Sequence, residues 1–461
     1  MKRSVLWLLC FLMIVPSGLA EDVVSMDDIM VEDSLLPDLT DSFQIEDLSL
    51  VQESELSSNV PGDGQMPPDK PEGGEGQTGG SADEQSGSDS AATTLTKDSS
   101  GKTYKSTTGG QNAVLVNGSK VKMTKATVKK TGDSSSESAD FYGTNAAVLA
   151  KGGATLTIKN SKITSKGAHA NGVFSYGSGT TVKISDSTIT TKGNGSGGIM
   201  TTGGATMKAT NLKVTTSGNS SAPIRSDRGG GTVTVTGGTY KASGVGSPAI
   251  YSTASITVSK ATLSSSKSEA VVIEGGNSVT LKNVKITGNN SKLNGQSTVK
   301  TNVLIYQSMS GDASDGASRF TMTGGTMTAK TGVMFHVTNA TTTINLSGVK
   351  FVNGSKTFLT ATADAWGTSG KNGGNVTLNL SKQAISGKIM VDSVSSLTMN
   401  LRKGSTFTGA ISNKGTCAVK LSSDSKWKLT GDSYVTSFSG SMDNVDLNGH
   451  TLYVNGVAKT K

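Results

Sequence analysis

One eight-residue phrase, repeated along the chain, limits what this sequence can fold into. Val233-Thr-Val-Thr-Gly-Gly-Thr-Tyr240 alternates apolar and polar residues, turns, and resumes with a polar–apolar pair. The phrase returns as Leu156–Ile163, Val182–Ile189, Met207–Val214, Ile256–Leu263, Val279–Ile286, Phe320–Met327 and Ile344–Phe351. Looser copies begin at Val121, Val376, Leu397, Val419 and Val445. The copies step by 21 to 26 residues, except for steps of 35, 41 and 32 after Val121, Val279 and Ile344. Self-similarity at this period is the signature of a solenoid, in which each turn buries its apolar side chains against the next.

Composition agrees. Only 34% of the 461 residues are apolar and 5% aromatic, while glycine supplies 58. That is thin material for a broad globular core but enough for coils that each need a few inward Val, Ile or Leu. β-Branched residues at period two dominate, so the coils are built of strands. A second strand precedes the phrase in each coil: Val148-Leu-Ala150, Val173-Phe-Ser175, Ile199-Met-Thr201, Ile224-Arg-Ser226, Ile250-Tyr-Ser252 and Val271-Val-Ile273. It continues as Val303-Leu-Ile305, Val333-Met-Phe335 and Phe358-Leu-Thr360. Glycine pairs such as Gly152-Gly153 and Gly203-Gly204 follow it and supply corners. A short third strand follows the phrase, as at Ile163-Thr164. Three strands per coil predict an all-β, right-handed parallel β-helix of about 12–13 coils.

The N-terminal fifth differs. Lys2 and Arg3, the apolar stretch Val5 to Val15 and the small residues Gly18-Leu-Ala20 predict a secretory signal peptide over residues 1–20. The apolar run is too short to span a membrane. Residues 21–60 alternate acidic and apolar side chains and read as a disordered segment; 61–100 form a Pro/Gly/Ser-rich linker. The solenoid is expected over 101–461. Residues 21–100 hold 20 Asp+Glu against 2 Lys, and residues 101–461 hold 39 Lys+Arg against 15 Asp+Glu, so an acidic tail precedes a basic rod. The two cysteines, Cys10 and Cys417, form no disulfide scaffold. The chain is thus expected outside the cell, released or loosely held at the surface, and monomeric, with no membrane insertion.

The repeats resemble those of the pectate-lyase-like right-handed β-helix superfamily, in particular its repetitive bacterial surface and secreted members. The stretch Trp427-Lys-Leu-Thr-Gly-Asp-Ser-Tyr-Val435 with Leu447-Asn-Gly-His-Thr-Leu452 is similar to the end of adhesin-type, pertactin-like passenger domains. Unlike those passengers, the chain is expected to carry no membrane barrel after it. The resemblance implies the fold and leaves the activity open, because this scaffold hosts lyases, hydrolases and binders.

Strand phase decides which side chains face out. With the apolar pairs of the phrase inward, the outward columns read Thr157, Lys183, Lys208, Thr234, Thr257, Thr280, Thr321, Asn345, Thr377, Thr398, next to it Lys159, Ser185, Thr210, Thr236, Ser259, Lys282, Thr323, Ser347, and a third column alternates Lys162, Thr188, Lys213, Thr239, Thr262, Lys285, Thr326, Lys350. This hydroxyl-and-ammonium face suits either plain solvation or an anionic polysaccharide; nucleic acid would bind it only incidentally. On the preceding strand, Leu149, Phe174, Met200, Arg225, Tyr251, Val272, Leu304, Met334 and Leu359 are expected outward. Such an apolar ladder needs a cover, from loops 287–302 or 306–319 or from the N-terminal segment, or it is a platform on which sugars stack. The adjacent column is expected to hold Tyr176, Asp227, Glu274, Tyr306 and His336.

These columns yield the candidate sites. Phe174, Tyr176, Arg225, Tyr251, Tyr306 and His336 are the expected ligand contacts of a non-catalytic glycan binder, adhesin-like or a carbohydrate-binding module. Asp227 and Glu274, two coils and about 9–10 Å apart, would form the carboxylate pair of a polysaccharide lyase or glycoside hydrolase on acidic polysaccharide, with Arg225 beside them. A purely structural surface rod is the third reading. His169, His336 and His450 fall in different coils, so no metal site and no cofactor is implied. Trp366, in the longer loop 361–374, is expected to cap a groove.

Overall fold

A computed structural model describes residues 90–136, 138–293, 297–308 and 310–460. The expected signal peptide, the expected disordered acidic segment and residues 61–89 of the expected linker lie outside the described residues. The described chain is a right-handed parallel β-helix with three strands in a typical coil. Val148–Lys151, Thr155–Lys159 and Lys162–Ser165 make one coil; Val173–Tyr176, Thr181–Ser185 and Thr188–Thr191 make the next. The strand before the phrase builds a 12-stranded sheet, and the other two strands build one of 22 strands. Ala91 bridges to Asn112 and Thr94 to Leu115, so pairing already begins in residues that the sequence reading gave to the linker. Leu95 packs against the core there, which is what draws this segment onto the first coil.

The register follows the phrase. Leu156 and Ile158 pair with Val182 and Ile184, then Met207 and Ala209, Val233 and Val235, Ile256 and Val258, Val279 and Leu281, all buried. Each buried aliphatic side chain contributes roughly 1.5–3 kcal/mol, and the gain repeats in every coil. The fifth position of the phrase is a left-handed corner: Asn160, Asp186, Asn211, Lys260 and Asn283 have φ of 48–54°. Asparagine and aspartate tolerate this conformation best among non-glycine residues. Serine stacks bind a second corner: the backbone N–H groups of Ala170, Ser196 and Ser221 donate to the hydroxyls of Ser196, Ser221 and Ser247, each at 2.9 Å. Lys130 also points inward, fully buried, and its Nζ donates to the carbonyls of Thr108 (2.8 Å) and Gly132 (2.7 Å). Burial pushes its pKa down to about 8.

The looser copies need correction. Ile344 pairs with Leu378, which pairs with Met399 and then Val419, so the copies assigned to Val376 and Leu397 begin two residues too early. Thr377 and Thr398 therefore align with Thr343, and the outward column runs Thr321, Asn345, Asn379, Asn400. A two-residue slip preserves the pleat, which is why alternation alone could not detect it. The three asparagines form an amide ladder, Asn345 donating to Thr321 (3.3 Å), Asn379 to Asn345 (2.9 Å) and Asn400 to Asn379 (2.8 Å). Val445 pairs with Trp427 in a separate four-stranded sheet. Trp427 is fully buried against Phe407 and donates to the Gly409 carbonyl at 3.1 Å. Cys417 is a buried core residue.

Candidate functional site

The outer face of the 12-stranded sheet is where the coils depart from monotony. The long steps of the repeat are insertions, and three of them fold onto this face. The first, residues 132–147, carries a one-turn helix, Ser138–Phe141. It covers Leu115, Leu149, Phe174 and Met200, which form a cluster of their own with Ala146. The Thr202 hydroxyl donates to the Phe141 carbonyl (2.7 Å) and Asn171 Nδ2 to that of Ala139 (3.4 Å). Phe174 is consequently fully buried and is not a sugar platform. The cover comes from a segment that sequence reasoning passed over, although the step of 35 residues marked it. Tyr176, at the rim, meets Tyr142 edge to face at 5.4 Å.

Beyond this lid lies a charged belt. Arg225 Nη2 donates to Asp227 Oδ2 at 2.8 Å, its Nη1 lies 3.8 Å from Asp140, and Asp140 is 2.7 Å from His169 Nδ1. Burial works against the Arg225 charge, yet Asp227 and Asp140 hold it firmly protonated. Burial pushes the Asp227 carboxyl up to about 6 against the pull of Arg225. The hydrogen bond to Asp140 raises His169. Arg228 donates its backbone N–H to Asp227 (3.0 Å), ties its guanidinium to Asp312 (2.7 Å) and lies over the Phe141 ring at 3.8 Å.

Next along the sheet, Tyr251, Val272, Leu304 and Tyr306 form the third apolar cluster, joined by Trp366. Glu274 sits almost fully buried behind the rings, accepting hydrogen bonds from the Tyr306 hydroxyl (2.8 Å), the Tyr251 hydroxyl and the Ser308 hydroxyl. Burial, reinforced by the Glu274 charge, holds both phenols well above their usual range, so they stay protonated donors. Trp366 tilts against Tyr306 at 4.5 Å and 47°. Its loop is latched by Asp364, which accepts from Ser297 Oγ (2.7 Å), Thr298 Oγ1 (2.7 Å) and the Thr298 N–H (3.1 Å). Against the upward push of burial, His336, Thr298 and Ser297 hold the Asp364 carboxyl well below the usual range.

Between these parts is a small cleft of about 50 Å³, partly open to solvent. Tyr251, Tyr306 and Trp366 line it together with Val272 and Leu304, and Gly246, Pro248 and the buried Glu269 and Ser297 complete the lining. Glu269 accepts from Asn290 Nδ2 (2.9 Å) and the Ser268 hydroxyl. Burial raises its pKa, with Ser268 and Asn290 pulling the other way.

The expected site is therefore partly assembled. Tyr251 and Tyr306 meet at one cleft with Trp366, which does cover a groove. Phe174 lies under the first insertion. Arg225 is engaged with two carboxylates. His336 is misplaced by two residues in the sequence reading: Leu304 pairs with His336, and Glu274 with Tyr306, which pairs with Thr338. His336 is fully buried, its Nδ1 2.8 Å from the Thr360 hydroxyl and its Nε2 3.3 Å from Asp364, so it meets no ligand. Met334 is buried, and Leu359 pairs with Phe335 and faces the core, so neither belongs to an exposed ladder. Asp227 and Glu274 are both nearly fully buried, each held by partners within the protein. Glu269 was missed, because its side chain enters from a corner rather than from a strand column. Among the described residues, no group of three or more His, Cys, Asp and Glu is placed to hold a metal ion.

Fold and cleft together define the class: this is a right-handed parallel β-helix protein whose outer face is remodelled by insertions. Residues 112–286 match the family model for the right-handed β-helix region. No curated protein and no solved structure matches the chain.

Proposed function

We propose that this chain is a secreted, non-catalytic β-helix that binds polysaccharide or cell-surface glycan in the cleft walled by Tyr251, Tyr306 and Trp366. The observation that carries this reading is the cleft itself: three aromatic side chains around an apolar floor, with a few polar groups at the rim, on a rigid sheet. Sugar rings present apolar C–H faces that stack on such walls while their hydroxyls reach rim groups like Ser297. The internal engagement of Asp227 and Glu274 favours binding over catalysis, since a hydrolytic pair has to meet both the glycosidic oxygen and the anomeric carbon or its attacking water.

The test incubates the purified protein with insoluble neutral and acidic polysaccharides and measures pelleted protein and new sugar ends in the same tube. Saturable pelleting without new ends, weakened about tenfold or more by Trp366→Ala, is the expected outcome. New ends that vanish in Glu274→Gln would replace the binding reading with the enzymatic one.

A further inference from the structure

The composition of the cleft runs against that of the protein around it. Residues 101–461 carry 39 Lys+Arg against 15 Asp+Glu, yet none of the residues lining the cleft is basic. Its one charged lining residue is the carboxylate of Glu269, and a second carboxylate, Glu274, lies directly behind the hydroxyls of Tyr251 and Tyr306. A phenol that donates to a carboxylate gains electron density in its ring, which strengthens the negative potential over the ring face. Three aromatic side chains and a carboxylate in the lining make an environment that attracts a cation, while Arg225, on the strand beside Tyr251, is offset by its pairing with Asp227 and Asp140.

From this we infer that the cleft is an ammonium cage: it takes a protonated amine or quaternary ammonium substituent carried on the bound glycan. The inference rests on the glycan-binding reading and names the group that is recognised. The cleft is small, about 50 Å³, so only a substituent enters it and the polymer runs across its mouth. The basic rod repels a polymer that is cationic throughout, so the ammonium is borne on an otherwise neutral or anionic chain.

Intrinsic fluorescence reads the test directly. Trp366 lies in the cleft wall, whereas Trp427 is fully buried in the C-terminal coils. The intact protein is titrated with choline and with its uncharged tert-butyl analogue, and in parallel with glucosamine and N-acetylglucosamine. The cage predicts a saturable change with choline or glucosamine and at least tenfold weaker binding of the uncharged partner of that pair. Glu269→Gln, which keeps the shape and the amide-competent hydrogen bonds, lowers cation affinity by about tenfold. Comparing choline with glucosamine separates a quaternary from a primary ammonium preference, and the charged–uncharged pairs need no variant, so a folding defect cannot mask the outcome. Equal binding of charged and uncharged partners overturns the cage, as does unchanged cation binding in Glu269→Gln. If polysaccharide pelleting persists and depends on Trp366 while cations and neutral analogues bind alike, the glycan reading stands and the cage falls. If neither polysaccharide nor cation binds, both fall.

Discussion

Phe174→Ala separates a packing role from a ligand platform. The ring is fully buried in a cluster with Leu115, Leu149 and Met200, beneath the insertion that carries the helix Ser138–Phe141. Truncating a buried phenylalanine removes its transfer free energy and leaves a cavity, together about 3–5 kcal/mol. Here the lower end applies, because Met200 is flexible and the insertion above it can settle into part of the void. A loss of about 3 kcal/mol falls mainly on docking of the insertion, since the coil beneath keeps its ladder. At 1.4 kcal/mol per decade this is a hundredfold or greater rise in local opening. Hydrogen exchange reads it at the amides of Tyr142 and Ala146, whose N–H groups bond to Ser138 and Gly143 within the insertion. Both should exchange about a hundred times faster, while glycan pelleting stays within twofold of the wild type. Unchanged exchange with lost pelleting would refute the argument and make Phe174 a ligand contact.

Three further outcomes follow from the same geometry. Gly143→Ala should destabilise the insertion, because Gly143 has φ +73° and an added Cβ would lie 2.7 Å from the Phe174 ring; exchange at Ala146 again reports it, and unchanged protection counts against the packing described. Lys130 binds its proton less tightly folded, at about 8, than in the unfolded chain, near 10.5, so the folded state gains stability, about 3 kcal/mol, as pH rises between those values. Urea unfolding at both ends of that range should show the gain in the wild type and its absence in Lys130→Met; an equal gain in both would rule Lys130 out as its source. Asp364→Asn should weaken the latch on Ser297 and Thr298, loosen the loop bearing Trp366 and lower glycan affinity several-fold without altering the coils, as judged by pelleting and far-ultraviolet dichroism.

What could be read in advance was whatever repeats. The inward pairs from Leu156 to Leu281, the threonine–lysine columns and the positive-φ glycine corners at Gly152-Gly153 and Gly203-Gly204 all follow from local chemistry copied coil after coil. The register failed where a coil departed from the pattern, at Val376, Leu397 and His336, because a shift of two residues leaves every side chain on its own face and only backbone pairing reveals it. Of the cleft, Tyr251, Tyr306 and Trp366 were singled out by the sequence, and the structure brings them together. The closure of the site was not legible. Burial of Phe174 and His336, and capture of Arg225 by Asp140, depend on insertions whose docking is a long-range event that no local period encodes. The unusual lengths of the steps at 121–156, 279–320 and 344–376 were the one available signal.

Glycan is expected to bind in the cleft and not along the threonine–lysine face. Hydrogen exchange of the protein with and without a polysaccharide that pellets it tests this most directly. Slowed exchange is expected in three segments that frame the cleft, residues 246–252, 297–306 and 361–373, with the amides of Thr234, Thr257 and Thr280 unchanged. Protection confined to those threonine strands, with the cleft segments unaffected, would contradict it.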